Sequence, residues 1–252
     1  MGRLRAALRL LRVGLHLVYA SAVVALAYPL VPPTWRRALK QRWSRQLLGM
    51  LGVRLSVNGT VPEGAALVVA NHVSWLDIFA LNAVLPLGFV CKEDVRGWPL
   101  IGWLCARTET VFIERGSCAA ARRTAETIAA RLHENHVVGV FPEGTTGDGG
   151  SLLPFRPALL QAAADARAAV QPFALRYLDR EGRRTDVANY CGDTSLWQSL
   201  CAIARVSGVE VALDVLPSIK SCGRTRRELA AQAEEAIGLS LARAARARRV
   251  GG

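Results

Sequence analysis

Hydrophobic and polar positions divide the chain into three stretches of different character. In the first, Leu4, Leu8, Leu11 and Leu15 recur at helical spacing, and Arg5, Arg9, Arg12 and His16 follow one step round. That pattern predicts a basic amphipathic helix suited to a lipid headgroup layer. From Val13 to Thr34 there is no Asp, Glu, Lys or Arg, but Pro29, Pro32 and Pro33 interrupt the apolar run. It is marginal against the roughly 20 residues that a spanning helix needs. A second basic set (Arg36, Arg37, Lys40, Arg42 and Arg45) follows in another amphipathic helix. Cations on both flanks place both ends on the cytoplasmic side, which favours a monotopic, re-entrant or interfacial anchor over a true span. A secretory signal peptide cleaved near Ala27 is the alternative, and the direct run into a second basic helix argues against it.

From about residue 53 short apolar runs alternate with helical stretches. The runs fall at 65–71, 87–91, 108–113, 137–141, 170–177 and 209–215, with helices expected at 74–84, 117–135, 156–167 and 195–206, and a last one from Thr225. Nearly continuous apolar strands alternating with helices predict an α/β fold, a mostly parallel sheet flanked by helices on both faces. Residues 1–50 are expected to form membrane-associating helices and residues 51–252 the α/β domain, which ends in a basic helix. The third stretch is that helix's end, RAARARR, a small solvated basic tail.

Charge and composition narrow the partners. The 252 residues carry a formal net charge of +12, yet 51% are hydrophobic and mean hydropathy is +0.21. A chain this apolar is not disordered, and with one long uncharged segment it is not polytopic. An oily, cationic domain suits anionic partners: a lipid surface, a phosphorylated ligand or nucleic acid. The cations cluster at the two ends without interleaved aromatic residues on strands, so nucleic-acid binding is not expected. The six cysteines form no C-x-x-C pair and most lie in apolar runs, which predicts buried, reduced thiols.

Several familiar sites are missing from the sequence. There is no G-K-[ST] phosphate loop, no complete G-x-G-x-x-G and no G-x-S-x-G elbow. His133 and His136 fall one residue short of H-E-x-x-H spacing, and no metal site is expected. Four segments that each follow a strand carry the candidate chemistry. In NHVSWLD, Asp77 can fold back onto one nitrogen of His72 and leave the other basic, or can simply cap the helix. In FPEGTTGDGG, Gly144 permits a tight turn, Thr145 and backbone N–H groups can cradle an anion, and Glu143 can bond an acceptor hydroxyl or hold an arginine; an ordinary turn has the same composition. Lys92 in FVCKED and Arg115 in VFIERG close strands, where a cation clamps an anion or joins a rim ion pair.

NH-x-x-x-x-D, FVCKED with PLIGW, VFIERG, FPEGT and VQPFAL arrive in this order over roughly residues 45–215. The set resembles the glycerolipid acyltransferase family that includes bacterial 1-acyl-glycerol-3-phosphate acyltransferases. The resemblance implies direct acyl transfer from a thioester, acyl-carrier protein or acyl-CoA, to a lysolipid hydroxyl, in phospholipid or related membrane-lipid synthesis. It makes His72 the general base and Asp77 its partner. Lys92, Arg115, Glu143, Gly144 and Thr145 shape the acceptor site, and Pro172 marks the last block. No cofactor or metal is implied, and the enzyme is expected at the cytoplasmic face of the cell membrane. Thr146 stands where the family commonly has arginine after F-P-E-G-T, and TGDG followed by LLPFR also resembles the lyso-ornithine lipid branch. Family frequency puts lysophosphatidic acid first among acceptors and lyso-ornithine lipid second. A non-catalytic membrane lipid-binding protein is the competing reading from another class.

Overall fold

The computed structural model describes residues 2–61, 63–113 and 117–250. Seven strands form the sheet: β1 (Val53–Asn58), β2 (Ala66–Ala70), β3 (Gly88–Lys92), β4 (Val111–Ile113), β5 (Val137–Val140), β6 (Ala169–Leu178) and β7 (Val209–Val215). Their order is β1-β7-β6-β2-β5-β3-β4, and every pairing is parallel except β6 with β7. β1 and β7 therefore run against the other five strands.

Strand β2 is central, and all five of its residues are buried, so it reads as an unbroken apolar run. Its side chains alternate between two cores, as the strand's period of two requires. Val68 and Ala70 join a core with Leu48, Leu76, Phe173 and Ile203, while Leu67 and Val69 join one with Ile128, Leu160, Leu229 and Ile237. The first core is roofed by α2 (Pro33–Leu51), α3 (Leu76–Val84) and α7 (Leu196–Arg205). The second lies under α5 (Cys118–His133), α6 (Gln161–Ala166) and α8 (Arg226–Val250). Burying leucine-sized side chains stabilises by about 1.5–3 kcal/mol each, so the two cores hold helices on the faces as expected.

Two elements were not foreseen. β1 reads VRLSVN and is half-exposed at the sheet edge, so it carries no apolar run. The short helix α4 (Ile101–Arg107) buries only Gly102 and shows no helical stripe. The expectation of buried thiols is corrected: none of the six cysteines is in a disulfide, but none is buried, with Cys118, Cys191 and Cys222 exposed. Cys91 and Cys105 belong to apolar runs that end at the sheet's margin instead of passing through its middle.

At the N-terminus, α1 (Gly2–Ala22) continues through a π-helical turn at Val23–Ala27 and a 3₁₀ turn at Tyr28–Leu30. Pro29 and Pro32 end it where the sequence suggested. Gly2–Leu30 is long and apolar enough to cross a membrane, with 17% of its most apolar window buried. Its inner face is not the leucine stripe. His16 is buried and stacks on Trp43 of α2 at 5.1 Å, and Trp43 Nε1 donates to the His16 carbonyl at 3.3 Å. Arg9 reaches the carbonyl oxygens of Ala204 and Val206 at the end of α7. Leu4, Leu8, Leu11 and Leu15 face outward, each more than half exposed. Gly52 closes α2 in the left-handed region at φ 72°, where its N–H bonds back to Leu48 and Gly49 and turns the chain into β1.

Candidate active site

β2 delivers the first motif to the carboxyl edge of the parallel strands. Just past its end, Asn71 extends the ladder to β6 with its side chain, donating to the Leu175 carbonyl at 3.1 Å and accepting from the Leu175 N–H at 2.8 Å. The next residue is His72. Asp77 lies in the first turn of α3, completely buried, and folds back so that its Oδ2 is 2.9 Å from His72 Nδ1. The same oxygen accepts from the N–H groups of Val73 at 2.7 Å and Ser74 at 2.9 Å. Capping the helix and orienting the imidazole are thus one job, done by one carboxylate. With Nδ1–H donated to Asp77, neutral His72 carries its free lone pair on Nε2. Among the described residues, Nε2 has no hydrogen-bond partner. The ring stacks on Phe141 at 3.9 Å and 11°, and Phe141 stacks in turn on Phe89.

Phe141 opens the second motif, which packs directly beneath the first. Glu143 is 4% exposed, and both of its oxygens are occupied by backbone donors. Oε1 accepts from His72 N–H at 2.6 Å and Oε2 from Leu153 N–H at 3.0 Å. Burial raises its pKa, against the lowering effect of those two N–H groups. Gly147 N–H donates to the His72 carbonyl at 2.7 Å, and Tyr190 N–H donates to the Val73 carbonyl at 3.0 Å. Every backbone polar group of residues 72 and 73 is therefore engaged, which fixes the histidine from below and from both sides.

The sequence candidates are placed as follows. His72, Asp77 and Glu143 converge, with Glu143 spent on the histidine's backbone. Gly144 makes the tight turn at φ 73°, and a Cβ there would meet the Arg156 guanidinium at 3.4 Å. Thr145 is exposed beside it. Lys92 is exposed at the carboxyl end of β3, on the same edge of the sheet. Arg115 lies outside the described residues. Pro172 sits in β6 opposite Val69.

A profile of the family described as Acyltransferase matches residues 53–176. Lyso-ornithine lipid O-acyltransferase of Pseudomonas aeruginosa is 40% identical over 206 residues, covering 82% of this chain and 79% of that protein. This chain belongs to the acyltransferase family. The 1-acyl-sn-glycerol-3-phosphate acyltransferase of Neisseria meningitidis serogroup B is 41% identical over 159 residues, covering 61% of this acyltransferase and 62% of its own length. In fold, the acyltransferase resembles the crystal structure of the 1-acyl-sn-glycerophosphate acyltransferase PlsC from Thermotoga maritima. The TM-score is 0.68 over 96% of this chain and 97% of that one, at 20% identity.

Sequence reasoning missed Tyr177 and Arg156, and it singled out Thr146 without its partner. Tyr177, at the far end of β6, donates its hydroxyl to Asp77 Oδ1 at 2.6 Å from 100 residues away. Arg156 lies over the Gly144 turn, held there by its own N–H bond to the Pro142 carbonyl at 2.9 Å. Thr146 donates to the Tyr190 carbonyl and ties the second motif to the loop before α7. That loop and α7 border a groove of about 560 Å³ whose lining includes Asp193 and Asp186, the latter ion-paired with Arg184 at 3.2 Å. The groove abuts the first motif, because Ser199 on its wall accepts from Trp75 Nε1 at 3.0 Å. The departure at Thr146 and the segment LLPFR were the signals in the sequence, and LLPFR came without a role for Arg156.

Proposed function

We propose that this acyltransferase moves an acyl chain from a thioester to the free hydroxyl of a lysolipid. The observation that carries the proposal is an imidazole oriented by a buried carboxylate, with its other nitrogen open and no serine or cysteine hydrogen-bonded to it among the described residues. Such a base acts on the acceptor itself. His72 Nε2 takes the hydroxyl proton as the oxygen attacks the thioester carbonyl, and Asp77 stabilises the imidazolium. Collapse of the tetrahedral intermediate breaks the C–S bond, and the proton passes to the departing thiolate. A thioester is already an activated donor, so acyl-carrier protein or acyl-CoA is proposed as co-substrate, with no metal and no cofactor.

For the acceptor, the span of the likeness favours lyso-ornithine lipid over the lysophosphatidic acid that family frequency puts first. The Pseudomonas relative named for lyso-ornithine lipid aligns over 82% of the chain, and the Neisseria relative named for the phosphate acceptor over 61%. Asp193 on the groove wall supports a headgroup bearing an ammonium, and Thr146, its hydroxyl bonded to the Tyr190 carbonyl, stands where the phosphate-acceptor pattern has a cation. An acceptor panel tests this: purified protein, one acyl donor, and products of the two lysolipids resolved by mass. Faster turnover of lyso-ornithine lipid is expected, and a preference for lysophosphatidic acid reverses the assignment. Silence with both acceptors and several donors would favour a lipid-binding protein without catalysis.

The outward leucine stripe of α1 is proposed to lie in the cytoplasmic leaflet, with the exposed Arg3, Arg5 and Arg12 of α1 and Arg42 of α2 at the headgroups. Deleting α1 would also strip Trp43 of its partner, so surface substitution is the cleaner test. Each leucine lifted from lipid costs about 1.5–3 kcal/mol of membrane affinity. Leu8→Glu, Leu11→Glu and Leu15→Glu together are expected to move most of the protein from the membrane pellet to the soluble fraction with its fold intact. An unchanged pellet would remove this helix as the anchor.

A further inference from the structure

Asp77 offers two oxygens, and the catalytic reading uses only one. Oδ2 is saturated by His72 Nδ1–H and the N–H groups of Val73 and Ser74. Oδ1 is buried on the opposite side, where neither motif supplies a donor. A carboxylate held through one oxygen can pivot about its Cβ–Cγ bond and carry the imidazole with it. The structure closes that freedom with Tyr177, whose hydroxyl lies 2.6 Å from Oδ1 and whose side chain is 2% exposed.

We infer that Tyr177 is a positioning residue of the acyl-transfer reaction, acting through Asp77 to hold the His72 imidazole in its working orientation. The inference rests on the His72 mechanism proposed above. Topology explains how a residue from another strand arrives there. β6 pairs with β2 up to Ala70 opposite Phe173, and then runs on past β2's end, over the turn that holds the dyad. Asn71 fixes the height of that overhang through its paired bonds to Leu175, two residues earlier. Ser74, also fully buried, hydrogen-bonds the same phenol, so the tyrosine is itself held in place. Burial, and then the charge of Asp77, push the phenol's pKa well above its ordinary value. It therefore remains an O–H donor throughout the working range.

Tyr177→Phe deletes the donor and keeps the ring. The expected result is a kcat lower by about 10- to 100-fold, the range set by losing one hydrogen bond to a charged group. The KM for both acyl donor and lysolipid is expected to stay unchanged, because Tyr177 is too buried to touch either. The melting temperature falls by a few degrees.

The decisive measurement is a double-mutant cycle with His72→Ala, scoring residual kcat and melting temperature separately. If Tyr177 acts by holding the imidazole, its effect on kcat disappears in the His72→Ala background. The thermal cost stays, because Asp77 Oδ1 still loses its buried donor there. An equal kcat loss in both backgrounds overturns the inference and leaves Tyr177 a packing residue. So does a Tyr177→Phe enzyme with wild-type kcat. If Tyr177→Phe does not fold, Ser74→Ala removes the phenol's second hydrogen bond with a smaller change, and the same split of kcat from KM is expected; an unchanged kcat counts against the inference. The two layers fail differently: a wild-type protein inert towards every lysolipid sinks the acyl-transfer reading, whereas an active wild type with an indifferent Tyr177→Phe sinks only this one.

Discussion

His72→Ala is expected to remain folded and membrane-bound while acyl transfer falls by about 10²–10⁴-fold, the range contributed by a positioned general base. The side chain is 18% exposed and accepts no backbone bond, so the fold loses its stacking on Phe141 and its hydrogen bond to Asp77, whose Oδ2 keeps the Val73 and Ser74 N–H groups. The stacking is worth about 0.5–1.5 kcal/mol and the hydrogen bond to the carboxylate about 1.5–3 kcal/mol, together less than the stability of a domain. The check is transfer of labelled acyl chains to lysolipid by purified membranes, with KM recorded beside kcat. A wild-type rate in the alanine variant would end the base mechanism outright.

The second large effect divides according to which property of Asp77 is removed. Asp77→Asn preserves the hydrogen-bond geometry. Its carbonyl oxygen can take over the three N–H donors at Oδ2, and its amide can donate to Tyr177, whose hydroxyl accepts as readily as it donates. What it loses is the charge that stabilises the imidazolium. The expected outcome is near-normal stability with a kcat lower by about 10³–10⁴-fold. Asp77→Ala instead strands buried donors beneath the helix. Each costs about 1–3 kcal/mol, a total comparable with the whole stability of a domain. Thermal unfolding separates the two variants. Equal melting temperatures would mean that the carboxylate does not organise the turn, and an active Asp77→Asn would mean that its charge is not used.

These expectations show where the sequence was legible. β2 announced itself because both of its faces are covered, and the dyad because a turn five residues long is local enough to reason about. β1 stayed hidden for the opposite reason: an edge strand with Arg, Ser and Asn has no apolar signature, and its place is decided by Val53–Asn58 pairing with β7 at the other end of the chain. Glu143 was singled out with an acceptor hydroxyl or an arginine as its partner, and the structure gives it neither. Sequence suggests that a glutamate beside a glycine turn looks outward to substrate, whereas this one looks inward to two backbone N–H groups. Tyr177 gave no warning, since a tyrosine closing an apolar strand is ordinary until the strand's overhang is known. Residues that act across the sheet are set by register, and register is not written in any one segment.

The packing of α1 has a consequence for how substrate arrives. A catalytic body hung from a flexible tether samples every tilt above its membrane. Here the Arg9 and His16 contacts make α1 part of the body, so the leucine stripe and the carboxyl edge of the sheet keep one mutual orientation. With the stripe in the leaflet as proposed, the depth at which His72 meets the lipid would be a fixed dimension of the molecule. Acceptors would then be sorted by whether their hydroxyl rides at that depth, a selection by lipid geometry before any headgroup is recognised.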